Sequence, residues 1–124
     1  MDDWTVLFDD AFETELPSLP EDVQDELLAH AKLLQCFGPQ LGRPRVDTLK
    51  GSRFPNMKEL RFDAANGVWR VDFAFDPERR AILLAAGDKV QTSEKRFYRQ
   101  LIKRADERFA LHLKSLTRSG GSRA

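Results

Sequence analysis

Lys58-Glu59-Leu60-Arg61-Phe62-Asp63, then Ala64-Ala65-Asn66-Gly67, then Val68-Trp69-Arg70-Val71-Asp72-Phe73-Ala74-Phe75 is the stretch that decides the fold. Leu60 and Phe62 alternate with Glu59, Arg61 and Asp63, and Trp69, Val71, Phe73 and Phe75 alternate with Arg70 and Asp72. Period-two alternation on both sides of an Asn-Gly pair predicts a β-hairpin with one apolar face and one charged face. With Asn66-Gly67 as the turn, Leu60 faces Phe73, Phe62 faces Val71, Arg61 faces Asp72 and Asp63 faces Arg70. That register pairs opposite charges across the strands, worth about 0.2–1 kcal/mol per pair. The same face also carries two guanidiniums about one strand spacing apart, which can clamp a phosphate. Both readings stay open on the sequence.

Asp76-Pro77-Glu78-Arg79 follows as a turn, and Ala81-Ile82-Leu83-Leu84-Ala85-Ala86 as a third strand, apolar on both faces and so expected inside the sheet. It ends at Gly87-Asp88-Lys89. A last helix, capped by Thr92 or Ser93, carries Phe97, Leu101, Ala105 and Phe109 on its inner stripe. Upstream, Trp4–Phe8 reads as a strand, and Asp9 or Asp10 caps a short helix that Pro17 ends. Ser18-Leu19-Pro20-Glu21 reads as a capping box for a helix with Val23, Leu27, Ala31 and Leu34 on one side, running to about Phe37. Residues 38–56 are expected to form a long basic loop bearing Arg43, Arg45, Lys50 and Arg53. The order is β-α-α-β-β-β-α: an α+β domain over residues 1–118, a curved antiparallel sheet packed against helices, with a flexible tail at 119–124.

Composition narrows the function classes. The chain has 124 residues, the size of one domain. Its apolar runs are too short for a membrane span, and the acidic start, Met1-Asp2-Asp3, speaks against a secretory signal. One cysteine excludes an internal disulfide, and with two histidines leaves too few ligands for a His/Cys zinc site. A reducing cytoplasm is the expected setting, with no metal and no cofactor. Net charge is zero, but residues 1–35 hold ten acids against one base (−9) and residues 36–124 carry the balancing +9. Such segregation either neutralises itself in the fold or presents a basic surface to a polyanion.

Among single residues, Tyr98 is the only tyrosine; it can stack a base or exchange a proton, or simply pack with a wet hydroxyl. Lys89 is a charge donor at a strand end or a solvated turn residue. His30 and His112 read as surface or semi-buried histidines, and Cys36 as a small apolar filler.

Leu49-Lys50-Gly51 ahead of Lys58-Glu59-Leu60-Arg61, Trp69-Arg70-Val71 and an apolar strand, in this element order, resembles the RelE/ParE toxin superfamily. Gly87-Asp88-Lys89, Phe97-Tyr98, Ala105-Asp106 and His112-Leu113 are similar to its HigB-like branch; the likeness covers about residues 4–114. The resemblance implies the toxin of a type II toxin–antitoxin pair, a ribosome-dependent mRNA endoribonuclease. It implies partners: a cognate helix-turn-helix antitoxin, the ribosome and mRNA, with operator DNA reached only through the antitoxin. By position, Arg61, Arg70, Lys89 and Tyr98 would be catalytic, and Lys50, Arg53, Lys58, Arg45 and Arg96 would bind RNA. The histidines of the HigB pattern have no counterpart: His30 lies too early and His112 too late, on the helix. That departure keeps two alternatives alive, a ParE-like gyrase poison and a non-catalytic RNA-binding module.

Overall fold

The alternation around residue 66 does build a hairpin, and the hairpin builds a five-stranded sheet. The structure, a computed structural model, describes residues 3–88 and 94–122. Strands β1 (Thr5–Phe8), β2 (Val46–Thr48), β3 (Met57–Ala64), β4 (Gly67–Phe75) and β5 (Arg80–Asp88) lie in the order β1-β5-β4-β3-β2. Helices α1 (Asp10–Glu15) and α2 (Glu21–Phe37) cover one face, and α3 (Glu94–Ser122) covers the other. This is the α+β sheet-and-helix architecture that the patterning implies. Four strands run antiparallel, while β1 joins β5 in parallel, Val6 opposite Ala81. β5 is interior, as its apolar faces require.

The hairpin register differs from the expected one by two residues. Leu60 pairs with Val71, Arg61 with Arg70 and Phe62 with Trp69. The turn residues are Ala65 and Asn66, with φ of 50° and 61°, the left-handed pair that a tight hairpin turn demands. Gly67 instead opens β4. A Cβ there would stand 2.9 Å from the Asp88 carboxylate, so close approach, not turn geometry, is what requires glycine. A shift of two keeps every side chain on its face and changes every partner. The Arg61–Asp72 and Asp63–Arg70 ion pairs are therefore not formed; Asp63 sits opposite Val68.

Three local expectations also change. The basic loop is not all loop: Val46–Thr48 pairs with Lys58–Leu60 as edge strand β2, too short for periodicity to reveal. The capping box does not form. The Ser18 hydroxyl donates to the Glu15 carbonyl (2.7 Å) within a 3-10 turn, and α2 starts after Pro20. The last helix runs on to Ser122, into the stretch expected as a tail. Its Thr92/Ser93 cap lies outside the described residues. By contrast, Asp9 caps α1 as expected, accepting from the Ala11 and Phe12 amides.

Each face has its own core. Phe12, Val23, Leu27 and Leu34 pack on Leu60, Phe62, Val71 and Phe73; Phe97, Leu101, Ala105 and Phe109 pack on Met57, Ala74, Ile82 and Leu84. α3 is further fastened by polar clamps. Arg108 donates to Glu15 (3.0 and 2.6 Å) and to the Leu84 carbonyl (2.8 Å). His112 is 2.8 Å from Asp76. Asp106 accepts from Ser52 and from the Arg53 amide, tying the 50–54 segment to the helix. Among the described residues no helix is long and apolar enough to cross a membrane.

Candidate functional site

Strand alternation places Asp47, Glu59, Arg61, Arg70 and Asp72 on the α3 side of the sheet. The register sorts them into two rows. Arg61 stands opposite Arg70, which stands opposite Gly87. One step along, Asp47, Glu59 and Asp72 are successive cross-strand partners. An arginine row thus lies beside a carboxylate row. α3 covers them unevenly. A Cβ on Gly87 would come within 2.7 Å of the Phe97 ring, so the helix start presses on β5 and leaves the β2–β3 side open. There a pocket of about 340 Å³ is lined by Asp47, Thr48, Leu49, Lys50, Glu59, Arg61 and Tyr98.

Glu59 is the hinge of this arrangement. Its Oε1 accepts from Arg61 and from Arg70, each at 3.2 Å. Glu59 and Arg70 are buried, whereas the Arg61 side chain is 44% exposed and reaches solvent at the pocket mouth. The Arg70 guanidinium also lies 5.3 Å from the Tyr98 ring centroid, a cation–π contact that fixes the tyrosine over the site. Arg43 donates to Asp47, and this hydrogen bond holds the Asp47 carboxyl below the usual range. Asp72 is the opposite case. Fully buried, with both oxygens lacking a hydrogen-bond partner among the described residues, its carboxyl is pushed well up by burial, and further by the Glu59 and Asp106 charges. Chemically, the pocket offers one exposed and one buried guanidinium, the Glu59 carboxylate between them and Asp47 beside it, an aromatic platform and an ammonium from Lys50.

Of the residues singled out in sequence, Arg61, Arg70, Tyr98 and Lys50 converge here. Lys58 does not: it sits opposite Thr48 and Phe73, on the α2 face with Leu60 and Phe62. The alternation itself carried that answer. Arg45 lies just before β2 and gives its carbonyl to the Arg61 amide (2.9 Å), which puts it beside the arginine row. Arg53 belongs to a separate groove between the 51–53 segment and α3, with Lys95, Arg99 and Lys103. Arg96 is exposed in the first turn of α3 and lines neither groove. Lys89 lies outside the described residues.

The histidines are engaged elsewhere. His30 is buried against Phe62, with Nδ1 2.8 Å from the Glu26 carbonyl. His112 meets Asp76. Cys36 is exposed, not a filler, because it falls on the outer side of α2 near its end. Sequence reasoning missed Glu59 and Asp72 as site residues. Their face was readable, but the misplaced turn gave Asp72 to Arg61 and so hid the carboxylate row. Among the described residues no cluster of His, Cys, Asp and Glu is arranged to hold a metal ion.

This sheet, with helices on both faces, is the fold of RelE. A solved structure of the E. coli toxin RelE, an arginine-to-alanine double mutant in the free state, matches with a TM-score of 0.59 over 81% of this chain and 94% of that one, at 14% identity. The chain belongs to the phage-derived Gp49-like family (DUF891), whose pattern spans residues 14–110. It is 46% identical over 99 residues to the "Putative toxin HigB2" of Mycobacterium tuberculosis, covering 79% of this chain and 49% of that protein. It is also 46% identical over 91 residues to that organism's "Putative toxin HigB3", covering 73% and 77%. The chain therefore spans about half the length of HigB2 and three-quarters of HigB3.

Proposed function

We propose that this chain is the toxin of a type II toxin–antitoxin pair and that it cuts mRNA in the translating ribosome. The relatives named as toxins and the RelE fold support the toxin reading. The observation that carries the nuclease reading is the opposed Arg61–Arg70 pair, with Tyr98 and Lys50 beside it in one open pocket. In this reading the exposed Arg61 swings onto a scissile phosphate, and the fixed Arg70 stabilises charge that develops in the transition state. Tyr98 stacks the adjoining base. Glu59 is the carboxylate in reach of a 2′-hydroxyl. A phosphate that draws Arg61 away frees a Glu59 oxygen to take that hydroxyl's proton. Solvent water can give the leaving 5′-oxygen its proton, and Lys89, which lies outside the described residues, is kept as a candidate catalytic residue. The cognate antitoxin, a helix-turn-helix protein in this reading, would contact operator DNA on the pair's behalf, and the setting would be the cytoplasm.

The test is a map of new mRNA 5′ ends after a brief induced pulse in a bacterial host. Ends phased to codons, lost when Arg61→Gln and Arg70→Gln are combined, are the expected result. Toxicity that survives the double change would sink the site. One observation favours a second reading: both histidines are held outside the pocket. Growth arrest with DNA damage signalling and no new ends would point to a gyrase poison of the ParE kind, and RNA binding without arrest to a non-catalytic module.

A further inference from the structure

Asp72 has no part in the chemistry above, yet it is the most unusual side chain in the molecule. It sits at the inner end of the carboxylate row, opposite Glu59 on β3 and Ala85 on β5, and one alternation step from Arg70 on its own strand. Asp106 of α3 bears on it from above, but Asp106 spends its oxygens on Ser52 and the Arg53 amide. Tyr98 of α3 faces Arg70, and Arg61 faces Glu59. No hydrogen bond from a cation or amide therefore reaches Asp72 among the described residues: its two oxygens are fully buried, and only the Arg70 charge acts in favour of the ionised form, against burial and the Glu59 and Asp106 charges. A charged carboxylate cannot be kept there without compensation. Arg70 gives Nη1 to Glu59 and makes no hydrogen bond to Asp72 even from its buried, unpartnered Nε, so its compensation is by charge at a distance alone.

We propose that Asp72 is held as a neutral carboxylic acid beneath the arginine pair, and that this neutrality is what leaves the pocket with the net positive charge it needs to bind a phosphate. Three cations, Arg61, Arg70 and Lys50, against the two carboxylates of Glu59 and Asp47 leave one positive charge. Ionised Asp72 would cancel it. The raised titration of Asp72, caused first by burial, agrees with this geometry. Asp72 is thus a positioning residue: it never touches the anion, and acts by withholding a negative charge. The proposal rests on reading the pocket as an anion site.

The experiment has two arms, both on the full chain. Carbon-13 NMR of the aspartate carboxyls reads the protonation of Asp72 directly, with Asp72→Asn assigning the signal. Inorganic sulfate, a dianion across the whole range, is titrated from pH 6 to pH 9 while the Arg61 and Arg70 side-chain signals are followed. Wild type is expected to keep a protonated Asp72 at neutral pH and to lose sulfate affinity, on the order of tenfold, as that carboxyl ionises. Asp72→Asn and the apolar Asp72→Leu are expected to hold the neutral-pH affinity without that loss; a purely structural role would not flatten the profile. An Asp72 signal that titrates like an ordinary aspartate, or profiles that stay identical in wild type and variants across the pH range where that signal shows Asp72 ionising, overturns the proposal. Absence of sulfate binding in every protein at every pH brings down the anion pocket, and the protonation of Asp72 is then judged by its own signal. A raised carboxyl titration in that case would confine the error to the pocket.

Discussion

Glu59 holds two guanidiniums with one oxygen, and the cost of losing it follows from what it leaves behind. Arg70 is buried at the same place, so Glu59→Ala strands a buried cation. The expected loss is about 3–5 kcal/mol, read as a lower midpoint in urea unfolding. Glu59→Ala combined with Arg70→Met should recover much of it. Asp76 makes a parallel case at the other end of α3. Burial alone would raise its carboxyl, but hydrogen bonds from His112 and Arg80 outweigh that and hold it below the ordinary 3.8. A carboxyl lowered in the folded state adds stability that is present above its unfolded value. That stability drains away as pH falls from about 4 through the lower folded value. Unfolding free energy measured from pH 6 down to pH 2 should show the decline, and Asp76→Asn should remove that part of it.

The hairpin shows what an element adds to its residues. Its existence, strands and faces were legible from alternation, because side-chain direction depends only on parity. Its register was not, because Asn-Gly outweighs Ala-Asn as a local turn signal, while the actual choice is made by Gly67 against Asp88 in a strand not yet paired. Edge strand β2 was hidden for a related reason: three residues cannot display a period. So the arginines could be named from sequence, while the carboxylates between and beneath them required the true pairing. The turn also carries a test. Ala65 adopts φ 50°, which a Cβ disfavours and asparagine tolerates. Ala65→Asn should raise stability by roughly 0.5–1 kcal/mol in thermal or urea unfolding, with no change in the sheet.

Across the whole molecule the split of charge along the chain becomes a split in space. The acid-rich α1 and α2 lie on one face of the sheet, while α3 and the 50–54 segment, rich in bases, lie on the other. Arg108 joins the two sides through Glu15 and Asp9. The remaining bases of the α3 side include Arg53, Lys95, Arg99 and Lys103, which share a groove beside the arginine pocket. If single-stranded RNA follows that groove, its affinity should fall steeply with salt, by about 0.7 in log–log slope for each phosphate met. Replacing Arg99 and Lys103 together by Gln should flatten the slope by roughly 1.4 while leaving Arg61-dependent binding in place. Filter binding from low to moderate salt would measure it.

The parallel pairing of β1 with β5 bears on how this chain comes into being. Val6 and its partner Ala81 lie 75 residues apart in the chain, so the strand must wait for its neighbour to be made. The helix that roofs Asp72 and carries Tyr98 follows the whole sheet in the chain. Until it is made, the arginine row has no lid and the carboxylates are wet. Long-range pairing of this kind is slow to form and comes late. In a chain that folds as it is made, the pocket would therefore assemble only once α3 has followed the sheet.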